Sequence, residues 1–301
     1  MRGANRRRAQ REMSDRRIAI TGGRGRLAPG LANYLRGHGW EVDLFSREGG
    51  GGFRALSELT EPGHLAAFDA VLHLGWSSVP LVAEENPGIE EREDLPFARA
   101  MVAAAKECAA PPMLVFFSTA AVYGNTGDEP AAENAPCRPL GRYAAAKLEA
   151  EKIFTAAPRA CVLRISNVFS AGCAKTRPQG IIPLLLESAR TSCAVTIWGD
   201  GSAVKDYIAA SDSHAAAASV LRHGLCGTFN VASGHALSVK ELIRLVEQAS
   251  GHRVPVSHAP HYAWDVERGV FSSQRLQSAA GWSPQVDPAQ AIKDMAAAAR
   301  R

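Results

Sequence analysis

No stretch of this 301-residue chain approaches the roughly 20 consecutive apolar residues that a membrane-crossing helix requires. No apolar run follows the arginine-rich start either, because Ile18-Ala19-Ile20 leads at once into Thr21-Gly22-Gly23. A membrane span and a secretory signal are therefore not expected. Paired cysteines are missing as well. The six present (Cys108, Cys137, Cys161, Cys173, Cys193 and Cys226) are scattered without a C-x-x-C pair. That excludes zinc-ligand spacing and a disulfide framework, so no metal is expected and the thiols read as reduced, in a cytoplasmic protein. A basic excess is missing outside the N-terminus. Residues 1–17 hold seven arginines against Glu12 and Asp15, a local excess of five that leaves the rest of the chain near −1 of the total +4. A nucleic-acid-binding body is not expected from that balance. The first 16 residues read as a disordered basic leader, with a second possible start inside it at Met13, and with an arm for an anionic polymer as the sharper alternative. Internal repeats and low-complexity linkers are also absent.

What is present is ordinary globular composition, 46% hydrophobic and 21% charged, enough for a large core. Apolar runs of strand length alternate with amphipathic stretches, which predicts a doubly wound parallel α/β sheet covered by helices on both faces. Strands are expected at Arg17–Thr21, Glu41–Phe45, Ala70–Leu74, Met113–Phe117 and Ala160–Ile165. Helices are expected at Leu27–His38, Leu95–Cys108, Gly141–Thr155, Val239–Ala249 and Pro288–Ala299. Ser238 with Glu241 three residues on forms a capping box for the fourth.

The chemistry begins at Thr21-Gly22-Gly23-Arg24-Gly25-Arg26-Leu27-Ala28, between the first strand and the first helix. Gly22 and Gly25 let backbone turn tightly and approach a pyrophosphate seated at the positive end of that helix. A glycine cluster alone also marks plain turns, but its place between strand and helix points to a dinucleotide site. The second strand ends Leu44-Phe45-Ser46-Arg47, without the carboxylate that would hold an adenosine ribose and repel a 2′-phosphate. Arg47 and Arg24 would instead pair with that phosphate, so NADP is expected and NAD is the alternative. Both arginines also admit a plain reading as exposed surface. Downstream, Tyr143-Ala144-Ala145-Ala146-Lys147 puts a phenol and an ammonium four residues apart on one helix face. A buried strand just before it ends in the hydroxyls of Ser118 and Thr119, at the carboxyl edge where such sheets bind ligands.

With these motifs the chain resembles the extended short-chain dehydrogenases, the epimerase/dehydratase group acting mostly on nucleotide sugars. The likeness runs from about Arg17 to the C-terminus, through Asp69–Leu74, Leu163–Val168, Trp198–Gly201, Lys205–Ile208, Phe229–Gly234 and Gly281–Pro284. The resemblance implies a Rossmann sheet of about seven strands in a dinucleotide-binding domain, residues 17–170 plus about 203–232. It implies a smaller α/β substrate lobe at 171–202 plus 233–301, and a homodimer. It implies Thr119, Tyr143 and Lys147 as the catalytic set, with Tyr143 as the acid/base, Lys147 lowering its pKa and holding the nicotinamide ribose, and Thr119 orienting the reacting oxygen. Cofactor contacts fall on Gly22, Arg24, Gly25, Arg26, Leu27, Ser46, Arg47, Leu74, Gly75 and Lys147. Substrate contacts fall on Ser118, Asn167, Lys205 and Arg268.

Two departures narrow this picture. The group's 4,6-dehydratases carry an Asp-Glu pair after the strand-end Thr, where this chain has Ala120 and Ala121, so a dehydratase of that mechanism is not expected. An epimerase and a ketosugar reductase both remain. Ser257–Glu267 holds no arginine although relatives place one there, which leaves a smaller carbonyl substrate as an alternative to a nucleotide sugar. A non-catalytic NADP-binding module is the competing class, and the retention of Tyr143 and Lys147 argues against it.

Overall fold

The computed structural model describes residues 16–170 and 180–298. The leader apart from Arg16, the second start at Met13, and Cys173 lie outside the described residues. The chain folds as two compact units. The first holds the described residues up to Thr119, with Gly141–Arg164 and His214–Phe229. The second holds Ala120–Leu140, Ile165–Ser213 and the chain from Asn230 onward. Among the described residues no helix is long and apolar enough to cross a membrane.

The first unit is built on strands β1 (Arg17–Thr21), β2 (Glu41–Ser46), β3 (Arg54–Ala55), β4 (Ala70–His73), β5 (Met113–Thr119) and β6 (Ala160–Ile165). A seventh strand, β10 (Gly227–Val231), starts in this unit, and the parallel sheet runs in the order 10-6-5-4-1-2-3. The order reverses between β1 and β4, and the crevice outside the carboxyl ends at such a reversal is where open α/β sheets bind ligands. Strands β1, β4 and β5 read as unbroken apolar runs because helices cover both faces. On one face Ala19, Val71, Leu114 and Phe116 pack with Met101 of helix α2 (Asp94–Glu107) and Phe154 of α3 (Arg142–Thr155). The Phe116 and Phe154 rings stack with centroids 4.6 Å apart. The residues between them in sequence (Ile18, Ile20, Leu72, Val115) point to the other face by the two-residue period of a strand. Helix α1 (Ala28–Gly37) buries Leu31 and Leu35 completely and packs on β1 and β2. The expected strands and helices of this unit agree with these spans to within a residue or two.

In the second unit β9 (Val204–Ala209) pairs with β7 (Asn167–Phe169), β11 (Ala236–Ser238) and β13 (Arg268–Gly269). Separately, β8 (Val195–Trp198) pairs in parallel with β12 (Val256–Ala259). Helices α4 (Ile181–Thr191), α6 (Val239–Ser250) and α8 (Pro288–Ala298) bury Ile182, Leu185, Leu242, Val246 and Ile292 against Phe169 and Tyr207. Ser238 caps α6, its hydroxyl accepting from the Glu241 amide at 3.2 Å while Glu241 accepts from the Ser238 amide at 2.7 Å. Residues 120–140, 165–170, 203–213 and 230–232, which the sequence grouped with the dinucleotide domain, fall in this unit. Among them β9 takes β7, β11 and β13 as its partners.

Candidate active site

The glycine loop is held by backbone rather than by side chains. Gly22 has φ +73°, and a Cβ there would lie 2.8 Å from the Gly75 amide nitrogen. The loops after β1 and β4 thus touch main chain to main chain, which only glycine permits. The Gly25 amide donates to the Gly22 carbonyl at 2.7 Å and closes the turn. Helix α1 then starts at Ala28 with no side-chain cap and no acid in its first turn. Pro29 has no N–H, so Ala28 and Gly30 are the residues of the helix's first turn with amides to offer an anion. Thr21 pins the second loop, its hydroxyl accepting from the amides of Leu74 (3.1 Å) and Gly75 (2.9 Å) and donating to His73 Nδ1 (2.8 Å). Burial, followed by the charge of Lys147, pushes His73 down to about 3, so it stays neutral as that acceptor. At the tip of β2 the Ser46 hydroxyl is buried without a hydrogen-bond partner, a polar atom waiting for a ligand. Gly22 and Gly75 thus approach main chain to main chain, with the Gly25 turn beside them and the unpartnered Ser46 hydroxyl at the tip of the neighbouring strand.

The two arginines that carried the NADP expectation are engaged. Arg47 pairs with Glu93 at 2.9 Å, so the strand tip presents a near-neutral pair rather than the excess positive charge a 2′-phosphate would select. Arg24 donates to the Gly49 carbonyl at 3.1 Å and lies over the Phe53 ring at 5.1 Å.

Lys147 reaches the carboxyl end of β5, with the Tyr143 ring beside it. Lys147 is almost fully buried and donates to the Phe117 carbonyl at 2.9 Å. Its Nζ sits 4.0 Å from the Trp76 ring centroid and 5.9 Å from that of Tyr143. Burial pulls its pKa down to about 7, against the opposing pull of Asp94, Glu151 and Glu90. Tyr143 is driven up from its usual 10, by burial first and then by the carboxylates of Glu90 and Asp94. These two acids anchor the loop after β4: Asp94 accepts from the Ser77 amide and hydroxyl, and Glu90 from the Ser78 hydroxyl. Sequence reasoning gave them no place in the site, because nothing in their spacing ties them to Tyr143. Ser118, expected to touch substrate, donates to Glu151 at 2.6 Å instead, and Glu151 forms a buried ion pair with Arg164 at 2.7 Å. Thr119 follows it, half-buried at the strand end.

In the second unit each expected substrate residue has a protein partner. Asn167 donates to the Asp206 carbonyl at 2.9 Å, and Lys205 pairs with Asp265 at 2.6 Å. Arg268 donates to the carbonyls of Gly127 (2.9 Å) and Asp128 (3.1 Å), which leaves its charge uncancelled by those contacts. Trp198, Tyr262 and Trp264 form an aromatic stack with centroid spacings of 4.2 and 4.5 Å. This stack was not legible in the sequence, where Trp198 lies far from Tyr262 and Trp264.

A model of the NAD-dependent epimerase/dehydratase family matches residues 18–232, and the chain belongs to that family. It is 33% identical over 193 residues to a UDP-glucose 4-epimerase of Halalkalibacterium halodurans, a match covering 57% of this chain and 58% of that relative. Over 304 residues it is 28% identical to a UDP-glucose 4-epimerase of Corynebacterium glutamicum, covering 89% of this chain and 91% of the relative. Among solved structures it superposes on the Thermus thermophilus UDP-glucose 4-epimerase in complex with NAD, with TM-score 0.82 and 26% identity, covering 94% and 99% of the two chains. NADP gains no support from these likenesses.

Proposed function

We propose that the protein is a nucleotide-sugar epimerase that works with NAD through Thr119, Tyr143 and Lys147, as a homodimer. The observation that carries this reading is the juxtaposition of Tyr143 and Lys147 beside the end of β5, in the same unit as the glycine loop after β1. The similar proteins named as UDP-glucose 4-epimerases, one of them solved with NAD, support both substrate class and cofactor.

A carbinol C–H is not acidic, so a base alone cannot invert that carbon; the bound nicotinamide supplies the hydride acceptor and donor that inversion needs. Tyr143 takes the hydroxyl proton and returns it. Its phenol starts well above neutrality, so the Lys147 ammonium beside it supports the phenolate. Thr119 orients the reacting oxygen from the strand end. Within the second unit Arg268 keeps a positive charge suited to a diphosphate, whereas Asp265 neutralises Lys205. Family membership spans epimerases and dehydratases alike. Ala120 and Ala121 favour the epimerase reading, because neither can protonate a leaving hydroxyl.

Tyr143→Phe keeps the ring and removes the proton-transferring oxygen. NAD binding is expected to survive while turnover of UDP-glucose falls by about 10²–10⁴-fold. Mass spectrometry of the wild-type product should show an unchanged mass. Turnover of the variant within tenfold of wild type, or loss of water from the sugar, overturns the proposal.

A further inference from the structure

At the edge of the central sheet opposite Gly22, Leu74 and Thr119, a cavity of about 370 Å³ opens where β1, β4 and β5 begin. It lies wholly within the first unit. Arg16, Arg159, Arg222 and His223 line it, with Asp69 the one acid in the lining among the described residues. One oxygen of Asp69 is already used by the Arg17 amide at 2.9 Å. Among the described residues none of the three guanidinium groups has a carboxylate partner. Arg16 donates to the Leu221 carbonyl at 3.1 Å, and Arg222 lies over the Trp40 ring at 5.9 Å. The remaining wall is apolar, from Ile18, Met113 and Leu221. Three uncompensated guanidinium groups around a concave, half-apolar space have no part in the chemistry at the other edge.

We propose that this cavity binds a small phosphate ester of nucleoside-monophosphate size. Guanidinium forks match phosphoryl oxygens two at a time, and a dianion answers several cations better than a single carboxylate does. The apolar wall takes the organic part, and the volume lies within the usual range of small-ligand sites. Strands of four to seven residues separate this edge from the catalytic one by about 13–23 Å at 3.3 Å per residue. The ligand is therefore neither the substrate nor the dinucleotide. It contacts the starts of the three strands whose ends carry Gly22, Leu74 and Thr119, and so is placed to act on the enzyme without competing for the active site.

Calorimetric titration of UMP into the full chain saturated with NAD and UDP reads this site alone, since those two fill the opposite edge. One binding event is expected for the wild type. It should weaken at least tenfold in Arg159→Ala and about 100-fold or more in Arg159→Ala/Arg222→Ala, as charge-assisted contacts are lost. The kcat of both variants should stay within twofold of wild type, which also shows that they fold. No heat at about 10 mM UMP, or equal affinity in wild type and double variant, overturns the proposal. Inorganic phosphate binding as tightly as UMP would overturn the assignment of an ester. If NAD and UDP themselves fail to bind, the proposed function fails, while the heat lost on mutation still decides this site.

Discussion

A methyl group at residue 22 has no room. It would meet the Gly75 amide at 2.8 Å, on a backbone whose φ of +73° already disfavours a side chain. Gly22→Ala is expected to cost about 1–3 kcal/mol of stability from the backbone strain alone, and to weaken NAD binding at least tenfold as the two loops part. Urea denaturation and a fluorescence titration would check both, and NAD affinity equal to wild type would mean the crevice lies elsewhere. Arg47 is a case where the partner decides. Its pairing with exposed Glu93 leaves little net charge at the β2 tip, so NAD should bind at least as tightly as NADP. Arg47→Ala should move the ratio by less than about 1 kcal/mol, the scale of an exposed pair. A wild-type preference for NADP, collapsing in Arg47→Ala, would restore the 2′-phosphate reading.

At the scale of elements, α2 and the helical turn before it (Ile89–Arg92) bring negative charge to α3. Glu90 and Asp94 both raise Tyr143, after burial, while helping to keep Lys147 charged. Replacing Asp94 by Asn keeps an acceptor for Ser77 and removes one charge. The phenolate then becomes easier to form, so the Tyr143 pKa falls. The rising limb of the pH–rate profile that reports loss of the Tyr143 proton is expected to move to lower pH in Asp94→Asn. A limb that stays in place or moves upward would show that Asp94 anchors its loop and does nothing to the phenol. Behind the same strand end, the Arg164–Glu151 pair with Ser118 is a fixed support. Its worth lies in fixing α3 against β5 and β6 rather than in net stability, since burying such a pair costs much of what it gains.

For the whole molecule, Lys147 links the site to pH-dependent stability. Its pKa is about 7 in the native protein and 10.5 as the reference for the unfolded chain. Between those values the unfolded chain binds a proton that the native state lacks, so this group makes stability rise with pH. Below about 7 both states are protonated and the penalty is constant. Lys147→Met, without cofactor, should therefore be more stable than wild type at pH 7, with the gap narrowing towards pH 10. Urea denaturation at several pH values would measure it, and a constant gap would mean that Lys147 does not titrate in that window.

The sequence by itself determined the order and kind of elements in the first unit, because strands buried on both faces read as apolar runs and α1 and α2 carry their own periodicity. It determined the glycine loop, the capping box at Ser238 and Glu241, and the Tyr143–Lys147 pair, since each of these is set within a few residues of chain. Only the tertiary structure decided what charged and polar groups do. Arg47 with Glu93, Ser118 with Glu151, Lys205 with Asp265 and Arg268 with the Gly127 carbonyl join residues far apart in the chain. Nothing local selects among such partners; a long charged side chain reaches whichever group the packing brings near. The same reason hid the pairing of β9, the aromatic stack at Trp198 and the two carboxylates facing Tyr143. Short-range chemistry was written in the chain, and long-range electrostatics waited for the fold.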